Sequence, residues 1–233
     1  MMKIAVIGCG NMASAVVRGI HSKNKSIEFL TYTPTKTKAI ALAGQVNGKV
    51  IAELHQLNEA DIFLIACKPQ QFSDLATNLK ELNFERKIVV SIMAAISVEH
   101  ISKVLGTSSI IRLMPSMPMK YNEGISLIYA SETLNRSDIE SFSSLLEKSS
   151  KVYHMKTQED FNRITVISAS GPAYVYYFCE VFEKILTEWG FETSIAKDMA
   201  IQLFKGSAIA MENSNLSLQQ QIDQVTSKKG VTI

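Results

Sequence analysis

The sequence predicts an α/β protein: an N-terminal Rossmann-like doubly wound sheet followed by a C-terminal all-helical domain. Three observations carry this. Short β-type runs alternate with helical stretches from residue 3 to 155, the pattern of strands joined by crossover helices and so of a mostly parallel sheet. A glycine-rich turn stands between the first strand and the first helix. After about Met155 the strand signal stops, and apolar positions recur only at helical spacing.

The elements follow in order. "KIAVIG" reads as a buried strand and "IEFLTY" as a second, with a weaker one at "GKVIA". "ADIFLIACK" is strong, and "RKIVVSIM", "SSIIRLM", "GISLIYA" and "SKVYHM" complete the set. Helical patterns lie between them, among them Asn11 to Ser22, Gln71 to Leu82 and Asn135 to Lys148. From Thr157 to Trp189 the helical pattern is interrupted by "SASGPA". Gly190 marks a stop, because glycine often follows a helix. Thr193 or Ser194 is expected to cap a further helix through Met211. "NSNLSLQQQ" is polar and reads as a connection. The expected domains are 1–155 and 156–233.

Composition narrows the function. Of 233 residues, 46% are apolar and 20% charged, with a formal net charge of +2. That charge is too small to argue for nucleic acid or an anionic membrane surface. No apolar run approaches the ~20 residues of a membrane span, and the N-terminus enters a core pattern at once, without a signal-peptide layout. Cys9, Cys67 and Cys179 are odd in number and widely spaced, which suits reduced thiols in a cytoplasmic protein. The four histidines are scattered, and no metal site is expected.

Chemistry enters at "AVIGCGNMASAVVRGI". Gly8, Gly10 and Ala13 fit G-x-G-x-x-G/A in the required strand–turn–helix setting. The first glycine permits a tight turn, the second lets a pyrophosphate approach the backbone, and Ala13 permits close helix packing. The helix N-terminus then offers N–H groups and its positive dipole end to phosphates. Cys9, inside the turn, reads as a small residue. A dinucleotide with a free 2′-hydroxyl usually meets Asp or Glu at the end of the second strand. Here stand Thr33, Thr35, Lys36 and Lys38, with no acid between Glu28 and Glu53. Hydroxyls and cations suit a 2′-phosphate. The expected cofactor is therefore NADPH, with NADH possible.

Several stretches, taken in order, resemble the pyrroline-5-carboxylate reductase family. "ADIFLIACKPQQF" is similar to that family's strand and Val-Lys-Pro-Gln turn, and "SIMAAIS" to its Ser-x-Ala-Ala-Gly-Ile stretch. "RLMPSMPMKYNEG" resembles Arg-x-Met-Pro-Asn-Thr-Pro followed by Glu-Gly. "ISASGPAYVYYF" resembles Leu-Ser-Gly-Ser-Gly-Pro-Ala-Tyr, and "DQVTSKKGVTI" resembles Asp-Gln-Val-Thr-Ser-Pro-Gly-Gly-Thr-Thr. The resemblance is collinear over essentially the whole chain.

It implies reduction of the cyclic imine of pyrroline-5-carboxylate to proline by NADPH or NADH, the last step of proline synthesis, in a homodimer or higher homo-oligomer. By that resemblance Ile7, Gly8, Cys9, Gly10, Asn11 and Met12 hold the pyrophosphate, and Thr33 lies near the 2′-phosphate. Ala66, Cys67, Lys68 and Pro69 follow the cofactor toward its ribose and nicotinamide. Met93, Ala94 and Ala95 line the same side, and Met114, Pro115 and Ser116 approach the nicotinamide end. Ser227, Gly230, Val231 and Thr232 form the substrate-carboxylate loop, with Thr232 reaching the ring nitrogen.

Departures from the family pattern are also implied. Ser116-Met117 stands where Asn-Thr is usual, Ala169 replaces a glycine, and Lys228-Lys229 replaces Pro-Gly in the substrate loop. The family pattern continues with further helix beyond Ile233, so the tail is expected to be shortened. Two other readings stand beside the first: a related imine or hydroxy-acid reductase with another substrate, and a degenerate member that binds dinucleotide without turnover.

Overall fold

A computed structural model of the chain describes residues 1–226. The chain divides into two compact units, one ending at Pro172 and one beginning at Ala173.

The first unit opens with β1 (Lys3–Ile7), α1 (Asn11–Lys23), β2 (Glu28–Tyr32), α2 (Thr37–Val46), β3 (Lys49–Val50) and β4 (Ile62–Ile65). It continues with α3 (Phe72–Leu79), β5 (Ile88–Ser91), α4 (Val98–Leu105), β6 (Ile110–Pro115), β7 (Gly124–Ala130), α5 (Arg136–Leu146), β8 (Ser150–His154) and α6 (Gln158–Ser168). The strands form one eight-stranded sheet in the order β3-β2-β1-β4-β5-β6-β7-β8 among the described residues. All neighbours are parallel except β6 and β7. The sheet therefore reverses its winding between β1 and β4, and such a switch point leaves a crevice at the strands' carboxyl ends.

The two-residue period of a strand divides the core into two layers. Ile4, Val6, Phe29, Leu64, Val90 and Ile111 face one side, where α1 and α2 supply Val16, Ile20 and Leu42 and α5 supplies Phe142. Ala5, Ile7, Leu30, Phe63, Ile65 and Val89 face the other, against Phe72 and Leu79 of α3 and Ile101 of α4. Strands buried on both faces need continuous apolar runs, as "IFLI" in β4 shows. Each fully buried Phe or Leu stabilises the fold by about 1.5–3 kcal/mol.

A charged exception sits in β6. Arg112 is 2% exposed. Its guanidinium lies 4.4 Å from the Phe161 ring centroid, and its Nη1 donates to Asn162 Oδ1 at 3.1 Å and Gln158 Oε1 at 3.4 Å. Gln158 in turn donates to Glu99 at 2.8 Å, which holds that carboxyl below its usual range. The cation is thus met by amide oxygens and an aromatic face, and it ties α6 to β6.

The second unit is helical. α7 (Gly171–Glu188) starts just before it, followed by α8 (Thr193–Glu212) and α9 (Leu218–Val225). The "SASGPA" interruption separates α6 from α7, and Gly190, with φ of +90°, follows the end of α7. Two details differ from the sequence expectations. Thr193 is the first residue of α8, and Glu192 occupies the cap position without a side-chain hydrogen bond. "NSNLSLQQQ" is not all connection: Ser217 and Gln220 form a capping box that starts α9 inside it.

Candidate functional site

The glycine turn leaves the carboxyl end of β1 at the switch point. Gly8 has φ of +95°, a conformation L side chains rarely adopt. A Cβ there would also lie 2.7 Å from the Ala66 carbonyl, so β4 can run this close only beside glycine. The turn is clamped by Gly8 N–H to Tyr32 O at 3.0 Å and Ala66 N–H to Ile7 O at 2.8 Å. Gly10 occupies the N-cap of α1 with φ of −74° and no side-chain cap. No acid stands in the first turn of α1. The turn thus presents a bare helix N-terminus, the feature that binds phosphate.

Cys9 Sγ points inward, 3.8 Å from Tyr32 O. Burial pushes its thiol up to about 11, so it is a space-filling group and not a nucleophile. Burial also raises the Cys67 thiol.

A cleft of about 510 Å³ opens along this edge. Ile7, Gly8, Cys9 and Gly10 line it from the end of β1 and the turn after it, Thr33 and Thr35 from the loop after β2, Lys38 from the first turn of α2, and Ala66, Cys67 and Lys68 from the stretch after β4. The buried Thr33 Oγ1 has no hydrogen-bond partner among the described residues. An orphaned hydroxyl costs free energy unless a ligand satisfies it. It therefore fits a phosphate-bearing nucleotide, as the uncapped turn does.

Other expected residues do not line this cleft. Asn11 and Met12 begin α1. Lys36 sits at φ of 55°, exposed, at the start of α2. Pro69 opens a single 3-10 turn ahead of α3. Met93, Ala94 and Ala95 follow β5, with Met93 Sδ 3.5 Å from Cys67 Sγ. Pro115 ends β6. Ser116 is buried, and its hydroxyl accepts the Ile125 N–H at 2.8 Å, which fastens the β6–β7 corner. Ser227, Gly230, Val231 and Thr232 fall outside the described residues.

Sequence reasoning missed the wall that faces these groups. Tyr32, Pro34, Gln71, Asp74, Leu75 and Asn78 also line the cleft. The last four share one face of the stretch leading into and along α3, while Phe72, Ala76 and Leu79 face the core. The helical spacing was visible, but its polar face looked like a solvent face. No group of His, Cys, Asp and Glu able to hold a metal occurs among the described residues. No described helix is long and apolar enough to cross a membrane.

This fold and this cleft define a dinucleotide-binding protein of the Rossmann class. Comparison with known proteins carries the assignment further. The family described as "Pyrroline-5-carboxylate reductase dimerisation" matches residues 158–233. The family described as "NADP oxidoreductase coenzyme F420-dependent" matches residues 3–95. A pyrroline-5-carboxylate reductase of Pasteurella multocida is 30% identical over 236 residues, covering 98% of this chain and 86% of that protein. The crystal structure of the 1-pyrroline-5-carboxylate reductase of Streptococcus pyogenes matches with a TM-score of 0.88 and 25% identity, over 99% of this chain and 87% of that one. The Plasmodium falciparum pyrroline carboxylate reductase with NADP bound shares the fold at a TM-score of 0.85 and 22% identity, over 99% of this chain and 86% of that one. The chain belongs to the pyrroline-5-carboxylate reductase family and is an oxidoreductase using a nicotinamide cofactor.

Proposed function

We propose that the chain reduces 1-pyrroline-5-carboxylate to L-proline with NADPH, the last step of proline biosynthesis, as a cytoplasmic homodimer. The single observation that carries this reading is 30% identity, sustained over 98% of the chain, to a curated reductase of that name. The cleft beside the glycine turn supports the cofactor half, and the orphaned Thr33 hydroxyl beside Lys38 supports the 2′-phosphate.

Bound NADPH supplies the hydride, and the protein's task is to hold and orient. Ile7 to Met12 hold the pyrophosphate with backbone N–H groups. Thr33, Thr35, Lys36 and Lys38 take the 2′-phosphate. Ala66 to Pro69, Met93 to Ala95 and Met114 to Ser116 mark the path to the nicotinamide. Ser227, Gly230 and Val231 hold the substrate carboxylate with N–H donors. Thr232 donates its hydroxyl proton in a hydrogen bond to the ring nitrogen, where negative charge would otherwise build as the carbon receives hydride. None of this requires a histidine or a metal.

The nucleotide-binding part is taken as 1–155 and the substrate and dimerisation part as 156–233. A second copy suits the second unit's surface. Tyr174, Tyr177, Phe178, Ile201, Leu203 and Ile209 are exposed in the single chain, and so many large apolar groups on two helices need a partner.

NADPH absorbance followed with pyrroline-5-carboxylate, with other cyclic imines and with keto acids tests this reading. Fastest oxidation with pyrroline-5-carboxylate is expected. Faster turnover of another imine would make the chain a related reductase, and tight NADPH binding without any turnover would make it a binding protein.

A further inference from the structure

Two sulfurs meet where the cleft borders the core. Cys67 Sγ lies 3.5 Å from Met93 Sδ. The sheet builds this contact. Ile65 of β4 pairs with Ser91 of β5 in parallel register, and each sulfur residue stands two positions further along its own chain stretch. Cys67 is half-buried and lines the cleft. Met93 is 2% exposed and packs within the core.

Both residues depart from the family pattern. Cys67 stands where valine precedes Lys-Pro-Gln, and Met93 stands at the first alanine of Ser-x-Ala-Ala-Gly-Ile. Packing alone asks for sulfur at neither place. Two departures 26 positions apart in sequence meet side chain to side chain, which points to a shared task.

A thiolate and a thioether are soft donors, and soft sulfur donors select copper(I). Structural zinc takes four ligands, and no group of three or more His, Cys, Asp and Glu able to hold a metal occurs among the described residues. Charge favours the same ion. Burial raises the Cys67 thiol, so a bare thiolate is disfavoured there. A monovalent ion that replaces the proton leaves the sulfur pair neutral. A divalent ion would leave a net charge half out of water.

We propose that Cys67 and Met93 form a two-sulfur site for a soft monovalent cation of the copper(I) class, and that the bound ion weakens dinucleotide binding. The thiol proton leaves to solvent, the thiolate sulfur bonds the ion, and the thioether donates a lone pair to it. No oxidation state changes. Two metal–sulfur bonds of about 2.3 Å in line span ~4.6 Å, so the sulfurs must part from 3.5 Å. Met93 is held by the core, so the Cys67 side gives way, into the cleft. The effect on the cofactor rests on the reductase reading, and the ion site itself does not.

The test is competition for copper(I), kept reduced and free of oxygen, between the full chain and a chelator whose copper(I) complex is coloured. The unmodified protein should take up one ion per chain, read as loss of that colour. Cys67→Val should abolish the uptake. Met93→Leu keeps the volume and removes the sulfur, and should weaken uptake about tenfold or more. Cys179→Ser should behave as the unmodified protein does. Thermal melts check folding, and Cys67→Ala and Met93→Ala give the same readings should a first choice fail to fold. With the ion bound, NADPH titrated by its nicotinamide fluorescence should bind several-fold more weakly, and Cys67→Val should show no such loss. No uptake by the unmodified protein would overturn the site. So would uptake that persists in both sulfur variants or follows Cys179, since the binding would then be adventitious. Unaltered NADPH affinity in the ion-loaded protein would overturn the coupling. No NADPH binding by the ion-free protein would overturn the reductase reading, and the chelator result would still decide the sulfur site.

Discussion

The Cα of Gly8 faces the backbone of Ala66 so closely that a Cβ would lie 2.7 Å from its carbonyl carbon and oxygen. Two residues on, a Cβ on Gly10 would meet nothing within 4 Å. The two glycines of one motif therefore answer to different demands. Gly8 answers to the fold, and Gly10 leaves the open space that a ligand would need.

Substitution should separate these demands. Gly8→Ala adds both a clash and a disfavoured φ, and should destabilise the protein by about 2 kcal/mol or more. Gly10→Val should fold normally, because φ of −74° suits any residue. Its branched side chain would fill the pyrophosphate's approach and abolish dinucleotide binding. Thermal melts and cofactor titration check both. Retained affinity in a folded Gly10→Val variant would place the cofactor elsewhere.

Thr33 makes a prediction of opposite signs. Its buried hydroxyl has no partner among the described residues. Thr33→Val keeps the shape and removes that burden, so the ligand-free protein should melt at the same temperature or higher. NADPH should bind more weakly and NADH about as before. Lys38 lines the cleft whereas Lys36 does not. Lys38→Ala should therefore cost NADPH more than Lys36→Ala, up to about 1.5–3 kcal/mol for a charge-assisted contact. Equal NADPH and NADH affinities in the unmodified protein would refute the preference.

Cys9 carries a pH dependence. Burial raises its thiol to about 11 from 9.0. At pH 8 only about one part in a thousand is thiolate, and the thiolate is the reactive form. Alkylation of Cys9 should be very slow in the folded protein and fast in denaturant. The raised value also fixes the sign of linkage. In the unfolded chain the thiol loses its proton at lower pH than in the native state, so this contribution to stability is intact below about pH 9 and declines as pH rises toward about 11. Peptide mapping after brief alkylation, and melts across that range, test it.

Much of this architecture was legible before any coordinates. Each run read as a strand became one, and the central ones, such as β1 and β4, were plainest because strands covered on both faces must be apolar throughout. The glycine turn was legible because its residues are demanded locally, by a φ and by a close approach. Arg112 was not, since a cation inside "SSIIRLM" is tolerable only because Phe161 and Asn162, distant in sequence, come to meet it. The α3 wall was hidden for a different reason: Asp74 and Asn78 are indistinguishable from solvated residues until Thr33 and Lys38 stand opposite. The start of α9 was written in Ser217 and Gln220, yet the surrounding polar run masked it.

The tail supplies the chemistry proposed for this enzyme. Thr232→Val should cut turnover about 10²–10³-fold, the usual cost of one positioned donor, and leave NADPH affinity intact. The loss shrinks if the substrate imine arrives protonated, so it should be larger at high pH than at low pH. Steady-state kinetics beside cofactor titration separate the two effects. Full activity after deletion of residues 226–233 would mean that the substrate loop lies elsewhere in the chain.

The central claim is that this chain carries hydride from NADPH to the imine carbon of pyrroline-5-carboxylate. Its most direct test is the stoichiometry of product to cofactor. With NADPH and pyrroline-5-carboxylate, the purified protein should form one L-proline for each NADPH consumed, and deuterium from the labelled nicotinamide should appear on the former imine carbon. NADPH bound tightly but left unoxidised, or oxidised without a matching yield of L-proline, would contradict it.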